Sequence, residues 1–247
     1  MKILFSPSEA KQETSSHFGY VKNSLCFEEL FHKRLEIIEK YNDLLKNASF
    51  EEKSKTLGLK KEADINKYKP IDTKKCQLEL AILRYSGVGY DYLDFSSLED
   101  NSQRTILYCM YIFSNLLGVV KARDKIPFYK LKQGSFIQGI DTAKYYKQHF
   151  ASKLDLIFED ELIIDLRAGY YDKFFIPKTP YISLKFLKNG RAVSHFAKAY
   201  RGLVARALAI HKPKDEKEFK QIPIANLHIK EIQIKGKKST YIYDIID

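Results

Sequence analysis

Short runs of consecutive apolar residues alternate with longer segments of helical period along this chain, and that alternation limits its fold more than any other feature. Leu162–Leu166 has the nearly continuous apolar character of a buried strand. Ile3–Phe5 predicts a second strand, because Pro7 prevents a helix from continuing. Phe27–Leu45 has apolar residues at every third or fourth position, which predicts an amphipathic helix. The sequence therefore predicts an α+β or mixed α/β fold.

The same patterns predict the remaining elements. We expect helices at Phe50–Leu57, Lys60–Tyr68, Thr73–Tyr85 (with Thr73 as N-cap), Ser97–Cys109, Thr142–Leu154 and Ser194–His211, a loop at Gly87–Asp91, strands at Met110–Phe113 and Phe128–Leu131, and hairpins at Tyr181–Val193 and Leu227–Ile246. The sequence has no internal repeat at a fixed period, and it has no linker that would separate two domains. We therefore expect a single domain over residues 1–247, with a helical lobe at about residues 25–86 packed against a mixed sheet.

Nothing in the sequence indicates export or a membrane. The cysteines Cys26, Cys76 and Cys109 are odd in number and widely spaced, which favours buried thiols in a reducing compartment. The most apolar stretch, Thr105–Val120, has 16 residues, whereas a membrane-spanning helix needs about 20. We expect a cytoplasmic protein without a membrane partner.

The charge balance favours an anionic partner. The chain carries 42 Lys and Arg against 31 Asp and Glu, a formal net charge of +11. Such an excess suits nucleic acid, phosphate or an acidic membrane. Because a lysine-rich surface also promotes solubility, the position of the charges must decide between these interpretations.

The predicted helix Ser194–His211 has the most informative charge pattern. At about 100° per residue, Lys198, Arg201 and Arg206 fall on one arc that has no acidic residue. Gly202 lies among them, and we interpret this small residue as allowing an anionic backbone to approach the helix. The alternative is a solvated face whose bases pair with acids elsewhere.

Two further basic clusters are candidates for contact with nucleic acid. Lys121, Arg123 and Lys130 lie close to Tyr129 in the sequence, and bases interleaved with an aromatic ring suit a nucleic-acid groove; an ordinary surface loop is the alternative. Around Gly58, a helix–turn–helix pattern resembles a helix-hairpin-helix near residues 50–69. Its lysines are Lys53, Lys55, Lys60, Lys61, Lys67 and Lys69.

Signals for catalysis are weaker. The common phosphate-loop, dinucleotide, zinc-protease and hydrolase motifs are absent. Asp165 and Arg167 lie at the carboxyl end of a predicted buried strand, where a crevice often binds ligands, so Asp165 is a candidate acid or base. Equally, Asp165 could pair with Arg167 or cap the next helix. Ser6, Glu9 and Lys11 follow the first strand and are candidates to line the same crevice, or merely to cap a turn. We assign no catalytic residue, no cofactor and no metal ligand.

Several segments, in the same order along the chain, resemble the peroxide stress protein YaaA family. They are Ser6–Lys11, Ala81–Gly87, Ser114–Lys121 with Ile126–Leu131, Asp165–Tyr171 and Phe196–Arg206. The resemblance implies a cytoplasmic bacterial protein that helps cells withstand hydrogen peroxide, with lower free iron and less oxidative DNA damage. It also implies a YaaA-like fold with a positively charged cleft, a helix-hairpin-helix-like element, and binding of double-stranded DNA.

We therefore expect a DNA-binding stress protein without an obligate protein partner. Its nucleic-acid contacts are predicted at Lys121, Arg123, Tyr129, Lys130, Arg167, Lys198, Arg201 and Arg206, and its cleft lining at Ser6, Glu9, Lys11 and Asp165. The alternative, less favoured, is an enzyme that processes nucleic acid or nucleotides with Asp165 or Glu9. A third possibility, an iron-handling protein, depends on the family resemblance alone.

Overall fold

A computed structural model describes residues 1–193 and 196–246 of the chain. The strands are β1 (Lys2–Phe5), β2 (His17–Gly19), β3 (Cys76–Leu80), β4 (Met110–Ser114), β5 (Gly118–Lys121), β6 (Lys125–Pro127), β7 (Phe136–Ile137), β8 (Ile140–Asp141), β9 (Ile163–Asp165), β10 (Tyr181–Lys188), β11 (Arg191–Ala192), β12 (Leu227–Lys235) and β13 (Lys238–Ile245). The α-helices are α1 (Phe31–Asn47), α2 (Phe50–Leu57), α3 (Glu62–Ile65), α4 (Ala81–Arg84), α5 (Val88–Leu93), α6 (Asp100–Cys109), α7 (Thr142–Ile157), α8 (Phe196–His211) and α9 (Glu216–Lys220). Ser194 and His195, which the sequence assigns to the start of the last long helix, lie outside the described residues.

A mixed sheet forms the centre of the molecule. Its strand order is β12-β13-β10-β9-β1-β4-β5, with β11 paired to β10. The neighbouring strands β13, β10, β9, β1 and β4 run parallel, whereas β12 and β5 are antiparallel at the edges. After β4 the chain returns past β1 and adds β9 on its other side. This reversal leaves a crevice at the carboxyl ends of β9, β1 and β4, where open sheets commonly bind ligands.

The central strands are buried on both faces, as their apolar runs predict. Leu4, Phe113 and Ile164 are completely inaccessible to solvent, and helices cover the sheet in one compact unit. The α+β class is therefore confirmed. Within the described residues, no helix has the length and the apolar character needed to cross a membrane.

The N-terminal lobe is joined to the sheet by a buried arginine. Arg34 on α1 donates to the carbonyl oxygens of Leu117 at 2.8 Å and Val119 at 2.7 Å. A third bond reaches the carbonyl of Phe27 at 3.0 Å. Because the Leu117 carbonyl flanks edge strand β5 and the Val119 carbonyl belongs to it, Arg34 bonds α1 directly to this edge of the sheet.

Three of the element predictions are wrong. Thr73–Tyr85 is strand β3 followed by the short helix α4, because β3 pairs with β2 and β6 in a separate three-stranded sheet. Gly87–Asp91 is not a loop but the beginning of α5. Phe128–Leu131 forms no strand: the Lys130 N–H donates to the Tyr41 hydroxyl at 3.2 Å instead of to a neighbouring strand.

Both predicted hairpins are confirmed. Strands β10 and β11 are antiparallel, and Asn189 and Gly190 between them have φ angles of 52° and 74°. Positive φ at both central residues matches the right-handed twist of the flanking strands, which explains why Asn-Gly predicts such a turn. Strands β12 and β13 form the second hairpin, with Gly236 in its turn at φ 60°.

Candidate functional site

A cavity of about 560 Å³ lies at the carboxyl ends of β1, β4 and β9. Ser6, Asn115 and Leu166, the residues that follow these strands, all line it. The rest of its wall comes from the loop after β1, the beginning of α5, residues 129–131 with Gln133, Ala168 and Tyr171 after β9, and the side of α8 that carries Lys198 and Arg201. We call it the strand-end cavity.

The loop after β1 is held in place by the buried Arg84 of α4. The Arg84 guanidinium donates to the carbonyl oxygens of Gln12 and Thr14 and, at 2.8 Å, to the Ser15 hydroxyl. The backbone N–H of Gln12 in turn donates to the Arg84 carbonyl at 2.8 Å. These bonds attach the polar loop to α4, so Arg84 helps to position the candidate residues that precede Gln12.

Ser6 ties together three parts of the cavity wall. Its hydroxyl oxygen accepts the Ala168 N–H at 2.9 Å, and its carbonyl oxygen accepts the Tyr90 hydroxyl at 3.0 Å. The loop after β1 is thereby bonded both to the segment after β9 and to α5. This arrangement gives Ser6 a structural role in shaping the cavity.

Lys11 places an amine in this wall. Its Nζ donates to the Ser8 carbonyl at 3.0 Å and lies 4.0 Å from the centre of the Tyr129 ring and 5.0 Å from that of Tyr85. Burial lowers the pKa of the Lys11 ammonium well below its usual value, and the nearby positive charge of Lys130 lowers it further. A buried amine with a lowered pKa is poised either to bind an anion as a cation or to act as a base.

Tyr129 is fixed by a network of hydroxyl groups behind the cavity. Its hydroxyl lies 2.7 Å from those of both Tyr85 and Ser114, and the Ser114 oxygen accepts the Leu117 N–H at 3.0 Å. Burial raises the pKa of the Tyr129 phenol, so the hydroxyl stays protonated at neutral pH. The network holds the ring against which the Lys11 ammonium rests.

Glu9 and Lys130 form an ion pair in the cavity wall. The Lys130 Nζ lies 3.1 Å from one carboxylate oxygen of Glu9, and the other oxygen accepts the Gln133 N–H at 2.9 Å. Among the described residues, the lining contains four basic side chains, Lys11, Lys130, Lys198 and Arg201, and one carboxylate, that of Glu9. The strand-end cavity is therefore basic.

Arg201 is the most distinctive of these bases. Its guanidinium has no hydrogen-bond or ion-pair partner among the described residues, although it is half-buried. Burial lowers the pKa of Arg201, whereas the Asp165 carboxylate raises it. Lys198, one turn earlier on α8, is exposed and also lines the cavity. Because Arg167 already binds both oxygens of the Asp165 carboxylate, the partly desolvated Arg201 guanidinium is well suited to bind a further anion.

Gly202 does not serve the purpose that the sequence suggested. A Cβ atom at this position would lie 2.2 Å from the Gly89 carbonyl oxygen and 3.0 Å from the Leu93 nitrogen. Gly202 is buried and allows α5 to pack closely against α8. The interpretation that it admits an anionic backbone is therefore wrong.

Gly202→Ala is expected to reduce the free energy of unfolding by about 1–3 kcal/mol, the usual cost of overpacking. The added methyl group would push α5 away from α8 and so disturb the cavity wall. Urea unfolding of the variant would measure the loss. Gly19→Ala is the matched control, because nothing lies within 4 Å of a Cβ there; equal stability of the two variants would refute the packing argument.

Arg167 and Asp165 form a buried ion pair outside the lining of the strand-end cavity. The Arg167 Nε and Nη2 lie 2.8 and 2.7 Å from the two carboxylate oxygens of Asp165. The same guanidinium also donates to the carbonyl oxygens of Tyr171 and Phe175, at 3.2 and 2.9 Å. The pair shapes the segment after β9, and it corresponds to the structural alternative that the sequence left open.

The other predicted contacts lie outside this cavity. Arg206 donates to the carbonyl oxygens of Leu93 and Asp94, at 3.0 and 2.8 Å, and so caps the end of α5. Lys121 rests on the Tyr111 ring at 5.3 Å, and Arg123 on the Tyr108 ring at 4.6 Å. The structure thus brings together Ser6, Glu9, Lys11, Tyr129, Lys130, Lys198 and Arg201.

Asn115 and Tyr171 line the cavity although sequence reasoning did not select them as site residues. Asn115 is only 7 % exposed, and its Oδ1 has no hydrogen-bond partner among the described residues. The sequence did contain a signal for Asn115, because Ser114 and Asn115 are polar residues within the most apolar stretch of the chain. Among all the residues that the structure describes, no cluster of three or more His, Cys, Asp or Glu could hold a metal ion.

Comparisons with known proteins show which family the sequence of this chain matches. A family model described as peroxide stress protein YaaA matches residues 1–233. An uncharacterized protein of Campylobacter jejuni is 47% identical over 247 residues, which cover 100% of both chains. A UPF0246 protein of Corynebacterium efficiens is 34% identical over 216 residues, 85% of each chain. A UPF0246 protein of Streptomyces coelicolor is 28% identical over 216 residues, 84% of this chain and 82% of its own.

Proposed function

The chain belongs to the peroxide stress protein YaaA family, and from that membership we propose that it protects DNA from oxidative damage in the cytoplasm by binding double-stranded DNA at the strand-end cavity. Family membership itself supports a role in oxidative stress. The proposal adds the partner and the place of contact. Binding is independent of sequence, since the basic side chains at the cavity suit phosphates rather than base edges.

The observation that carries the proposal is the unbalanced charge of the strand-end cavity. Lys130 is paired with Glu9, but Arg201 and Lys198 have no hydrogen-bond or ion-pair partner in the part of the chain that the structure describes. An arginine donates two parallel hydrogen bonds to a phosphate, so Arg201 suits this ligand better than a lysine would. DNA phosphates would supply the anions that these cations lack.

The basic hairpin of α2 and α3 would extend this surface. Gly58 ends α2 in a left-handed conformation with φ 71°, and the Thr56 carbonyl accepts the Lys132 N–H at 3.0 Å. Residues on either side of Lys132 line the strand-end cavity. The lysines around Gly58 therefore lie on an element packed beside the cavity, and a duplex held there would meet them as a helix-hairpin-helix-like contact.

A salt titration of duplex binding tests the proposal. Fluorescence anisotropy with a labelled duplex should give a linear fall of log K with log salt, with a slope of about 0.9 for each phosphate contact. We expect a slope of at least about 2.7, because three or more basic side chains face the ligand. Binding that is undetectable at low salt, or that does not depend on salt, would overturn the proposal. Single-stranded and mismatched DNA of the same length complete the comparison.

Processing of nucleic acid or nucleotides is the second candidate function, and Lys11 is the observation that favours it. Both carboxylate oxygens of Asp165 are bonded to Arg167, and those of Glu9 are bonded to Lys130 and Gln133, whereas the Lys11 amine lies in the cavity wall and can exchange a proton with a ligand. Incubation with damaged and undamaged duplexes would test this function. Strand cleavage or base release that Glu9→Gln or Lys11→Met abolishes would support it, and intact substrates would exclude it for those substrates.

A further inference from the structure

The size of the strand-end cavity limits what can enter it. Its volume of about 560 Å³ lies within the range of about 300–1,000 Å³ that is typical of sites for small ligands. A double helix is far too wide to enter such a space. If DNA binds at its rim, the interior is free for a smaller unit of the same chemistry.

The cavity offers separate partners for a phosphate and for a base. Arg201 and Lys198 lie on α8, and each lacks an ion-pair partner among the described residues. Phe5, Leu131 and Leu166 provide apolar surface from other parts of the lining. A wall that is cationic in one part and apolar in another matches a molecule with an anionic group and a flat ring system.

Asn115 points to a hydrogen-bond donor on that ring system. Its side chain lies at the carboxyl end of β4, is more than nine-tenths buried, and contributes to the cavity wall. Its Oδ1 is buried without a partner in the described part of the chain. Such an orphaned acceptor is costly; because solvent does not reach this Oδ1 in the free protein, the Asn115 side chain must rotate toward the cavity before a ligand N–H can satisfy it. Nucleobases carry N–H groups of this kind on their edges.

We propose that the strand-end cavity binds one nucleoside monophosphate unit, with its phosphate at Arg201 and Lys198 and its base directed inward to the Oδ1 of Asn115. The bound nucleotide can come from two sources. One is a nucleotide turned out of a DNA duplex, and for this source the inference rests on the proposed function. A free mononucleotide has the same chemistry and is the other source.

Three duplexes of one sequence test the DNA source by anisotropy at constant salt. The first is fully paired, the second has one extrahelical nucleotide, and the third has an abasic residue in place of that nucleotide. We expect the second to bind at least about tenfold more tightly than the first, because its nucleotide is already unstacked. The abasic duplex should lose this advantage. Equal affinity of the second and third duplexes would overturn the DNA source.

Calorimetry with dAMP and dCMP, with inorganic phosphate as the reference ligand, tests whether the cavity binds a free mononucleotide. Tighter binding of a mononucleotide than of phosphate supports the base contact in the cavity. If neither mononucleotide exceeds phosphate and the extrahelical nucleotide gives no advantage, the inference fails. A salt-dependent affinity for paired duplex would then still support the proposed function, whereas nucleotide binding without duplex binding would reject that function alone.

Asn115→Leu tests the assigned contact. This variant removes the amide with little change in volume and should reduce the preference for the extrahelical over the abasic duplex to about one. Asn101→Leu, at an exposed position on α6 outside the cavity lining, is the matched control and should keep the preference. Retention of the preference in Asn115→Leu would refute the role of this residue, and thermal unfolding of both variants verifies that each is folded.

Discussion

Replacing Lys198 and Arg201 together by alanine is expected to weaken duplex binding about 100-fold, if each loses one charge-assisted hydrogen bond worth roughly 1.5 kcal/mol. The slope of log K against log salt should fall by about 1.8, since two phosphate contacts are lost. Both effects follow from the position of these residues in the strand-end cavity, where neither cation has a partner among the described residues. Anisotropy across a salt series measures affinity and slope in one experiment.

Lys235→Ala combined with Lys237→Ala is the matched control. This pair removes the same charge from the exposed β12–β13 turn, whose residues do not line the cavity. The control should lose much less affinity than the α8 variant and keep most of the salt slope. Equal losses in the two double variants would show that overall charge, and not the cavity, drives binding.

Arg167→Gln is expected to reduce the free energy of unfolding by about 3–5 kcal/mol, the usual cost of breaking a buried ion pair. The variant leaves the Asp165 carboxylate buried without its cation and removes donors from the carbonyl oxygens of Tyr171 and Phe175. Chemical denaturation would measure this loss. The effect is one of stability, because neither member of the pair lines the strand-end cavity.

A second substitution distinguishes this explanation from a direct role in binding. Asp165→Asn combined with Arg167→Gln removes both charges and should recover part of the lost stability, because no unpaired carboxylate remains. The folded double variant should bind duplex DNA with a salt slope close to that of the original chain. A double variant as unstable as Arg167→Gln, or a clearly flatter slope, would contradict the structural role.

Local patterns in the sequence predicted those elements whose own residues determine their structure. Asn189 and Gly190 favour a tight hairpin, and the buried strands around Leu4 and Ile164 are apolar along their length. The helix prediction for Thr73–Tyr85 was wrong because the conformation of this segment depends on pairing with β2 and β6, which are distant in the sequence. Helical periodicity in one segment cannot reveal a partner strand.

The same distinction between local and long-range information applies to the residues of the candidate site. Position after a strand selected Lys11, and charge on one arc of a helix selected Lys198 and Arg201; the fold brings all three to one cavity. The same reasoning could not distinguish them from Arg206, whose guanidinium caps α5. Nor could it recognise that Gly202 contacts another helix, since the Gly89 carbonyl reaches it only in the folded chain.

Acetylation footprinting of lysines with and without duplex DNA tests most directly the central claim that DNA binds at the strand-end cavity. Mass spectrometry then reports the modification rate of each lysine. We predict that duplex DNA slows the acetylation of Lys198, which is exposed in the free protein, while Lys235 and Lys237 in the β12–β13 turn react at unchanged rates. Protection of the turn with continued reaction of Lys198 would contradict the account.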